Sequence, residues 1–317
     1  MGERRYPPGM SEIVLGANQY GKAETRVVRI VRDTARHEIR DLNVSTALRG
    51  DFAAAHTHGD QSQVLPTDTQ KNTAFAYAKE VGVASPEAYA VALGGRLLDA
   101  TPAARQARVA VEEYAWDRIP VGGAGHDHAF VRRGGEVRTV VVTVDGRGDD
   151  RRVRVVSGLQ DLVVLKTTGS EFRGFLKDEY TTLPETHDRI LATSLTVRWR
   201  HDVTTPEQVA HLDADASYAA VRALLLETFA TTYSRALQET LHAMGRAVLE
   251  AHAGLAEIRF SAPNKHHFLV DLAPFGLENP GEVFVAADRP YGLIEAVVTR
   301  SDASDAGDTW LGTPGFL

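Results

Sequence analysis

One arrangement of hydrophobic patterns occurs twice along this chain of 317 residues. Each copy consists of strand-like alternation, then two amphipathic helices, then further strand-like alternation. Elements in this order form an antiparallel sheet with its helices packed on one face. The sequence therefore predicts an α+β protein made of two similar halves in tandem. The duplication is one of architecture, since no residue-level repeat relates the halves.

The first half begins with strand patterns and continues into two helices. Ser85 and Pro86 are typical of the N-cap and first turn of a helix, and Thr67 is a second candidate for an N-cap. The predicted elements of this half are strands within 13–31 and around 42–44, helices opening near Thr67 and Ser85, and strands at 108–111 and 128–131.

A hairpin separates the two halves. The segments 137–144 and 152–156 flank Asp145-Gly146, a strong turn signal. Later predicted elements are strands at 162–165 and 196–200, helices over 218–229 and 237–248, and strands after Ala256 and around 282–285. We divide the chain into an N-terminal extension (1–11), a first domain (12–147), a second domain (148–300) and a C-terminal tail (301–317).

Composition narrows the classes of function. The net charge of −7 and the pI near 6.0 argue against a nucleic-acid-binding protein, so we expect a small-molecule partner. The absence of cysteine excludes disulfides, thiolate metal sites and a cysteine nucleophile. No apolar run is long enough to cross a bilayer, and the first residues do not resemble a signal peptide. These patterns predict a cytoplasmic protein that does not bind membranes.

Polar side chains cluster in the segment 261–271, near the end of the second half. Asn264, Lys265, His266 and His267 lie between strand-like apolar residues. Because side chains alternate along a strand, Asn264 and His266 should share one face, with Lys265 and His267 on the other. The pair Asn264 and His266 is therefore a candidate site for a small oxygen species.

An antiparallel sheet of this kind leaves two edge strands that must be covered or paired. Joining the two halves side by side and closing them against a second chain would remove those edges. A homo-oligomeric barrel is therefore physically sensible.

Several motifs, in order over residues 14–299, closely resemble urate oxidase (uricase), in particular its bacterial branch. They include Tyr20-Gly21-Lys22, Thr67-Asp68-Thr69-Gln70, Lys166-Thr167-Thr168-Gly169-Ser170, Phe172-Arg173-Gly174-Phe175, Asp188-Arg189-Ile190 and Pro263-Asn264-Lys265-His266.

The resemblance implies two tunnelling-fold domains per chain, dimers that close an antiparallel barrel, and a homotetramer that encloses a tunnel. It also implies oxidation of urate by O₂ to 5-hydroxyisourate and hydrogen peroxide without a metal or organic cofactor. Active sites of this family lie at subunit interfaces, with the Thr67-Asp68 segment supplied by the neighbouring chain.

Three residues match what a pocket for a flat, electron-rich anion needs. Phe172 offers an aromatic face, Arg189 a planar bidentate cation, and Gln238 an amide that both donates and accepts. By the resemblance, Leu237 contacts the substrate through its backbone.

Oxidation requires that urate lose a further proton and that oxygen be held beside it. Lys22 and Thr67 resemble the catalytic dyad of the family, in which a partly buried lysine becomes neutral and draws a proton through the hydroxyl. By the same resemblance, His266 extends this relay, and Asn264 and His266 hold oxygen or peroxide over the ring.

Two alternatives are open at this point. One is another tunnelling-fold enzyme that acts on a pterin or purine with zinc bound near His126 and His128. The other is a purine-binding oligomer without catalysis, against which the presence of both Lys22 and Thr67 argues.

Overall fold

The structure, a computed structural model, describes residues 13–313 apart from the side chain of Asp288. The predicted N-terminal extension (1–11) and the last residues of the predicted tail (314–317) lie outside this range. The elements are β1 (Tyr20–Val31), β2 (Glu38–Gly50), α1 (Ala53–His58), α2 (Thr67–Glu80), α3 (Pro86–Asp99), β3 (Ala104–Glu113), β4 (Trp116–Val121), β5 (Ala124–Arg132), β6 (Val137–Asp145), β7 (Arg152–Lys166), β8 (Leu191–His201), α4 (Pro206–Ala210), α5 (Ala214–Thr231), α6 (Leu237–Ala251), β9 (Leu255–Leu269) and β10 (Phe284–Thr299).

Eight strands form one antiparallel sheet in the order β1-β2-β3-β6-β7-β8-β9-β10. The strands β4 and β5 pair with each other in a separate two-stranded hairpin, and one backbone hydrogen bond, from His37 N–H to the Asp127 carbonyl (2.9 Å), joins it to the chain before β2. The predicted α+β class with an antiparallel sheet is confirmed. Strand β1 occupies one edge of the sheet and β10 the other.

The helices pack on the sheet through the faces that their sequences predict. In α3, Ser85 Oγ accepts a hydrogen bond from the Ala88 N–H (3.1 Å), and Pro86 occupies the first turn, so this predicted cap is confirmed. Helix α3 packs against β3 and β6, while α6 packs against β9 and β10. Leu93 and Leu241, at the centres of these faces, are completely buried.

For the first half, one predicted helix cap is wrong, and one predicted strand is confirmed but lies outside the main sheet. Thr67 is the first residue of α2 rather than its N-cap, which is Pro66, and no side chain caps this helix. The strand pattern at 128–131 belongs to the β4–β5 hairpin, so β6 is the last main-sheet strand of this half. The alternation at 128–131 is that of any half-exposed strand, and it does not reveal which sheet the strand joins.

The two halves are continuous through the sheet. Strands β6 and β7 form the predicted hairpin and pair from Val137 with Gln160 to Asp145 with Arg152. Apolar residues form one core cluster in each half, and β7 contributes to both. The domain limits at 12–147 and 148–300 stay a prediction.

The halves share a distortion that the sequence does not reveal. In β1, the register with β2 shifts after Lys22, and Glu24 has a positive φ of 56°. In β7, the register with β8 shifts after Leu159, and Asp161 has a φ of 60°. A glycine precedes each shift at a close backbone approach: a Cβ at Gly21 would lie 1.8 Å from the Thr46 carbonyl oxygen. The position of Lys22 is thus equivalent to that of a buried leucine in the second half.

Candidate active site

A cleft of about 410 Å³ opens where β8 begins and β9 ends. Its wall includes three of the predicted site residues, Phe172, Arg189 and His266. Phe172 and Arg189 lie in the connection between β7 and β8, and His266 lies on β9. Sequence-distant segments of the second half therefore meet at this cleft.

The connection between β7 and β8 is held by backbone hydrogen bonds. Phe172 and Thr186 exchange two of them, at 2.9 and 3.0 Å, and the Arg189 N–H donates to the Ser170 carbonyl at 2.8 Å. The Phe172 ring stacks on Phe175 with centroids 4.8 Å apart. These contacts fix an aromatic face at the cleft.

The Arg189 guanidinium lies over this aromatic face, with Cζ 5.3 Å from the Phe172 ring centroid. The two nearby carboxylates in sequence bind elsewhere: Asp188 accepts hydrogen bonds from Thr168 Oγ1, and Glu185 pairs with Lys177. Burial lowers the pKa of Arg189, although an arginine stays charged at neutral pH. A partly desolvated cation is therefore left available to an anionic ligand.

His266 faces the same cleft, and its ring stacks on Phe268 at 5.8 Å. Burial lowers the pKa of the His266 imidazole, and the charges of Arg189 and His267 lower it further. A neutral imidazole has one nitrogen that donates and one that accepts, so it can pass a proton.

His267 is also among the residues that line the cleft. The pairing of β8 with β9 reaches Asn264 and does not extend to the last residues of β9, so this end of β9 borders the cleft. The stacking of His266 on Phe268, two residues further along, agrees with the alternation of side chains along a strand, and the opposite orientation of His267 stays a prediction. Asn264 itself pairs with Thr193 and Gly292, just before this open end, and lies outside the lining of the cleft.

Leu237 and Gln238 begin α6, and they also lie outside the lining of the cleft. Leu237 is buried and Gln238 is exposed. The first N–H groups of a helix have no partner within the helix, and Ala236, the N-cap, offers no side-chain acceptor. The backbone contact of Leu237 with the substrate stays a prediction.

The remaining predicted residues, Lys22, Thr67 and Asp68, form a second group in the first half. The Lys22 N–H donates to Thr46 Oγ1 (3.3 Å), which in turn donates to Gln70 Oε1 on α2 (2.8 Å). The pKa of Asp68 is lowered, mainly by its bond to Lys71 and to a smaller extent by the charge of Lys22. Thr67 is exposed at the start of α2.

One chain keeps these two groups apart. Five strands separate β1, which carries Lys22, from β9, which carries His266. At about 4.8 Å per strand, the six spacings amount to roughly 29 Å along the sheet. The structure therefore brings together Phe172, Arg189 and His266, but it does not bring Lys22 or Thr67 to them within one chain.

The histidines considered for zinc lie on the β4–β5 hairpin. The rings of His126 and His128 are 4.5 Å apart, and His126 Nδ1 accepts a hydrogen bond from the His128 N–H. Within residues 13–313, no three histidine, aspartate or glutamate side chains group closely enough to hold a metal ion. In the same part of the chain, no helix is long and apolar enough to span a membrane.

Comparisons with known proteins agree with this geometry. The uricase family model matches residues 18–143 and 155–295. The uricase of Arthrobacter globiformis is 51% identical over 306 residues, covering 96% of each chain, and that of Schizosaccharomyces pombe is 37% identical, covering 89% of this chain and 96% of its own. The crystal structure of the Arthrobacter globiformis uricase superposes with a TM-score of 0.87 at 52% identity, covering 95% of this chain and 99% of its own. The chain belongs to the uricase family.

Proposed function

We propose that this protein oxidises urate with O₂ and water to 5-hydroxyisourate and hydrogen peroxide, without a metal or organic cofactor. The observation that carries the proposal is the Arg189 guanidinium, over the Phe172 ring and beside His266, with Asp188 bound to Thr168 and Glu185 bound to Lys177. In a chain of the uricase family, this cleft offers a flat anion a ring to stack on and a cation to bind.

Two residues of the cleft and two at the start of α6 bind different parts of the substrate in this proposal. Urate stacks on Phe172, an interaction worth about 1–3 kcal/mol for a base on an aromatic ring. Arg189 donates two parallel hydrogen bonds to one edge of the anion, and Gln238 donates and accepts along the adjacent edge. The Leu237 N–H, at the start of α6, supplies a further donor.

Lys22, Thr67 and His266 form the proposed proton relay. Lys22 acts as the base and draws a proton from the Thr67 hydroxyl, which takes one from urate, and His266 continues the chain. The urate dianion then gives two electrons to O₂, and the reduced oxygen takes up the proton held on Lys22 and a second proton from water to form hydrogen peroxide. The hydroxide left from that water adds to the oxidised purine. Asn264 and His266 hold oxygen above the ring plane, where fixed donors stabilise the developing peroxide charge.

The relay requires a second chain. We propose that β1 of one subunit meets the far edge of its partner, so that Lys22, Thr67 and Asp68 of one chain complete the cleft of the other. Two eight-stranded sheets would then close one barrel of sixteen strands. Exposed apolar residues on both edge strands, Val28 and Ile30 on β1 and Leu293 and Val297 on β10, support this arrangement.

The homotetramer, the tunnel through it and a cytoplasmic location are parts of the same proposal. They rest on the resemblance and on the sequence patterns described above.

The test is to mix chelator-treated protein with urate and follow urate absorbance, oxygen uptake and peroxide together. We expect equimolar loss of urate and oxygen and equimolar formation of peroxide. Activity that is lost with chelator and restored by zinc would favour the metal-dependent alternative. Urate that binds without being consumed in air would favour the non-catalytic one.

A further inference from the structure

A completely buried serine, Ser170, stands behind the cleft and holds Arg189 at two points. The Ser170 carbonyl accepts the Arg189 N–H at 2.8 Å, and Arg189 Nε lies 3.3 Å from Ser170 Oγ. Ser170 is not part of the cleft lining. It touches the residue that binds the anion rather than the space the anion occupies.

The hydrogen bond to Arg189 Nε determines which edge of the guanidinium can bind a ligand. A guanidinium is a planar fork that can present either its Nε edge or its terminal Nη edge to a carboxylate or similar anion. Because Ser170 Oγ accepts the hydrogen bond from Arg189 Nε, the edge formed by the two terminal Nη groups remains available to a ligand. The serine therefore selects which edge of Arg189 faces the ligand.

The same serine connects Arg189 to the start of α6. Ser170 pairs with Ser234 as a parallel bridge, in which the Glu171 N–H donates to the Ser234 carbonyl (2.9 Å) and the Ser234 N–H to the Gly169 carbonyl (3.0 Å). Ser234 Oγ donates to the Ala236 carbonyl at 3.1 Å and accepts from Thr240 Oγ1 at 2.8 Å.

Buried hydroxyls of this kind are costly unless they are hydrogen-bonded, and small apolar residues would pack with less penalty. Ser170, Ser234 and Thr240 are each completely buried, and each has a hydrogen-bond partner. Their hydrogen bonds run from Arg189 to Ala236 and Thr240 at the start of α6, the helix that also carries Gln238.

We infer that Ser170 is a positioning residue for anion recognition. It presents the terminal Nη edge of Arg189 to the substrate and, through Ser234, sets the distance from Arg189 to Gln238. This inference rests on the proposed function, because it takes urate as the ligand.

The experiment is an anaerobic titration with urate, in which the dissociation constant is measured without turnover. Ser170→Ala should raise Kd about tenfold, because a hydrogen bond to a charged group is lost. In the Arg189→Lys background, which lacks Nε, the same substitution should change Kd less than about twofold. Ser157→Ala is the matched control: this buried serine bonds Glu87 and His201 far from the cleft, and its loss should leave Kd unchanged.

An unchanged Kd for Ser170→Ala would overturn the inference, as would equal increases in both backgrounds. If Ser170→Ala does not fold, Ser234→Ala tests the other half of the inference, because it removes the Ser234 hydroxyl bonds to Ala236 and Thr240 at the start of α6. It should raise Kd severalfold, and an unchanged Kd would refute the inferred connection to α6. Because binding is measured without oxygen, this outcome is independent of whether the wild-type protein consumes urate in air.

Discussion

Lowering the pH should weaken the fold through one buried imidazole, His201 on β8, which is only 3% exposed. His201 Nε2 lies 2.9 Å from Ser157 Oγ, and Ser157 donates its hydroxyl proton to Glu87 Oε1 at 2.7 Å. The serine proton is thus already used, so His201 donates from Nε2 to Ser157 Oγ. Glu87 belongs to α3 in the first half, so the contact joins the two halves.

Burial lowers the pKa of His201 to about 4; the charge of Glu87 partly opposes this, while Arg138 and His252 add to it. In the unfolded chain the pKa is about 6.5, so the unfolded state takes up the proton first as pH falls. The stability contributed by neutral His201 is therefore complete above pH 6.5 and is lost as the pH falls toward 4. Integration gives a loss of about 2 kcal/mol at pH 5 and about 3 kcal/mol at pH 4.

The matched variant is His201→Gln, whose amide can donate to Ser157 Oγ but does not titrate. The free energy of unfolding would be measured by urea denaturation at pH 7 and pH 5, at one protein concentration, because oligomer stability depends on it. The wild type should lose about 2 kcal/mol more than His201→Gln between these pH values. Equal losses in the two proteins would show that His201 does not carry this dependence.

Four further substitutions test the relay, the anion-binding arginine and one close backbone approach. Lys22→Ala or Thr67→Ala should lower kcat by about 10²–10⁴-fold while anaerobic urate binding stays measurable; wild-type turnover in either variant would discard the relay. Arg189→Ala should mainly weaken binding, by about 2–3 kcal/mol for a lost charged hydrogen-bond donor, and an unaltered KM would contradict its role. Gly21→Ala should lower the melting temperature, because its Cβ would lie 1.8 Å from the Thr46 carbonyl oxygen; a melting temperature equal to that of the wild type would refute this close approach.

Much of the fold could be predicted because local chemistry determines it. Ser85 and Pro86 define the start of α3, and Asp145-Gly146 defines the β6–β7 turn. Partner choice between strands is not local, so the pattern at 128–131 predicts a strand but not that it pairs in the β4–β5 hairpin. The prediction that Thr67 caps α2 is wrong. The N-cap is Pro66, with a φ of −53°, and the helix begins without a hydrogen bond from any capping side chain.

The residues that line the candidate site could be predicted from the sequence, but the buried residues that hold them in place could not. Phe172, Arg189 and His266 belong to motifs that carry the resemblance, and the structure brings these three residues together. Ser170 lies in one of those motifs, yet a serine in a loop gives no sign that it will be buried behind an arginine. The shared bulges after Lys22 and Leu159 depend on how two strands pair, which neither sequence segment reveals alone.

The central claim is that one active site combines Lys22 of one chain with His266 of another. Lys22→Ala and His266→Ala chains would be purified separately, then unfolded and refolded together in equal amounts. In an isologous dimer with random pairing, each site draws an intact lysine and an intact histidine with a probability of about one quarter, so the mixture should recover about a quarter of wild-type turnover. A mixture no more active than either variant alone, with the chains shown to have co-assembled, would contradict a site shared between subunits.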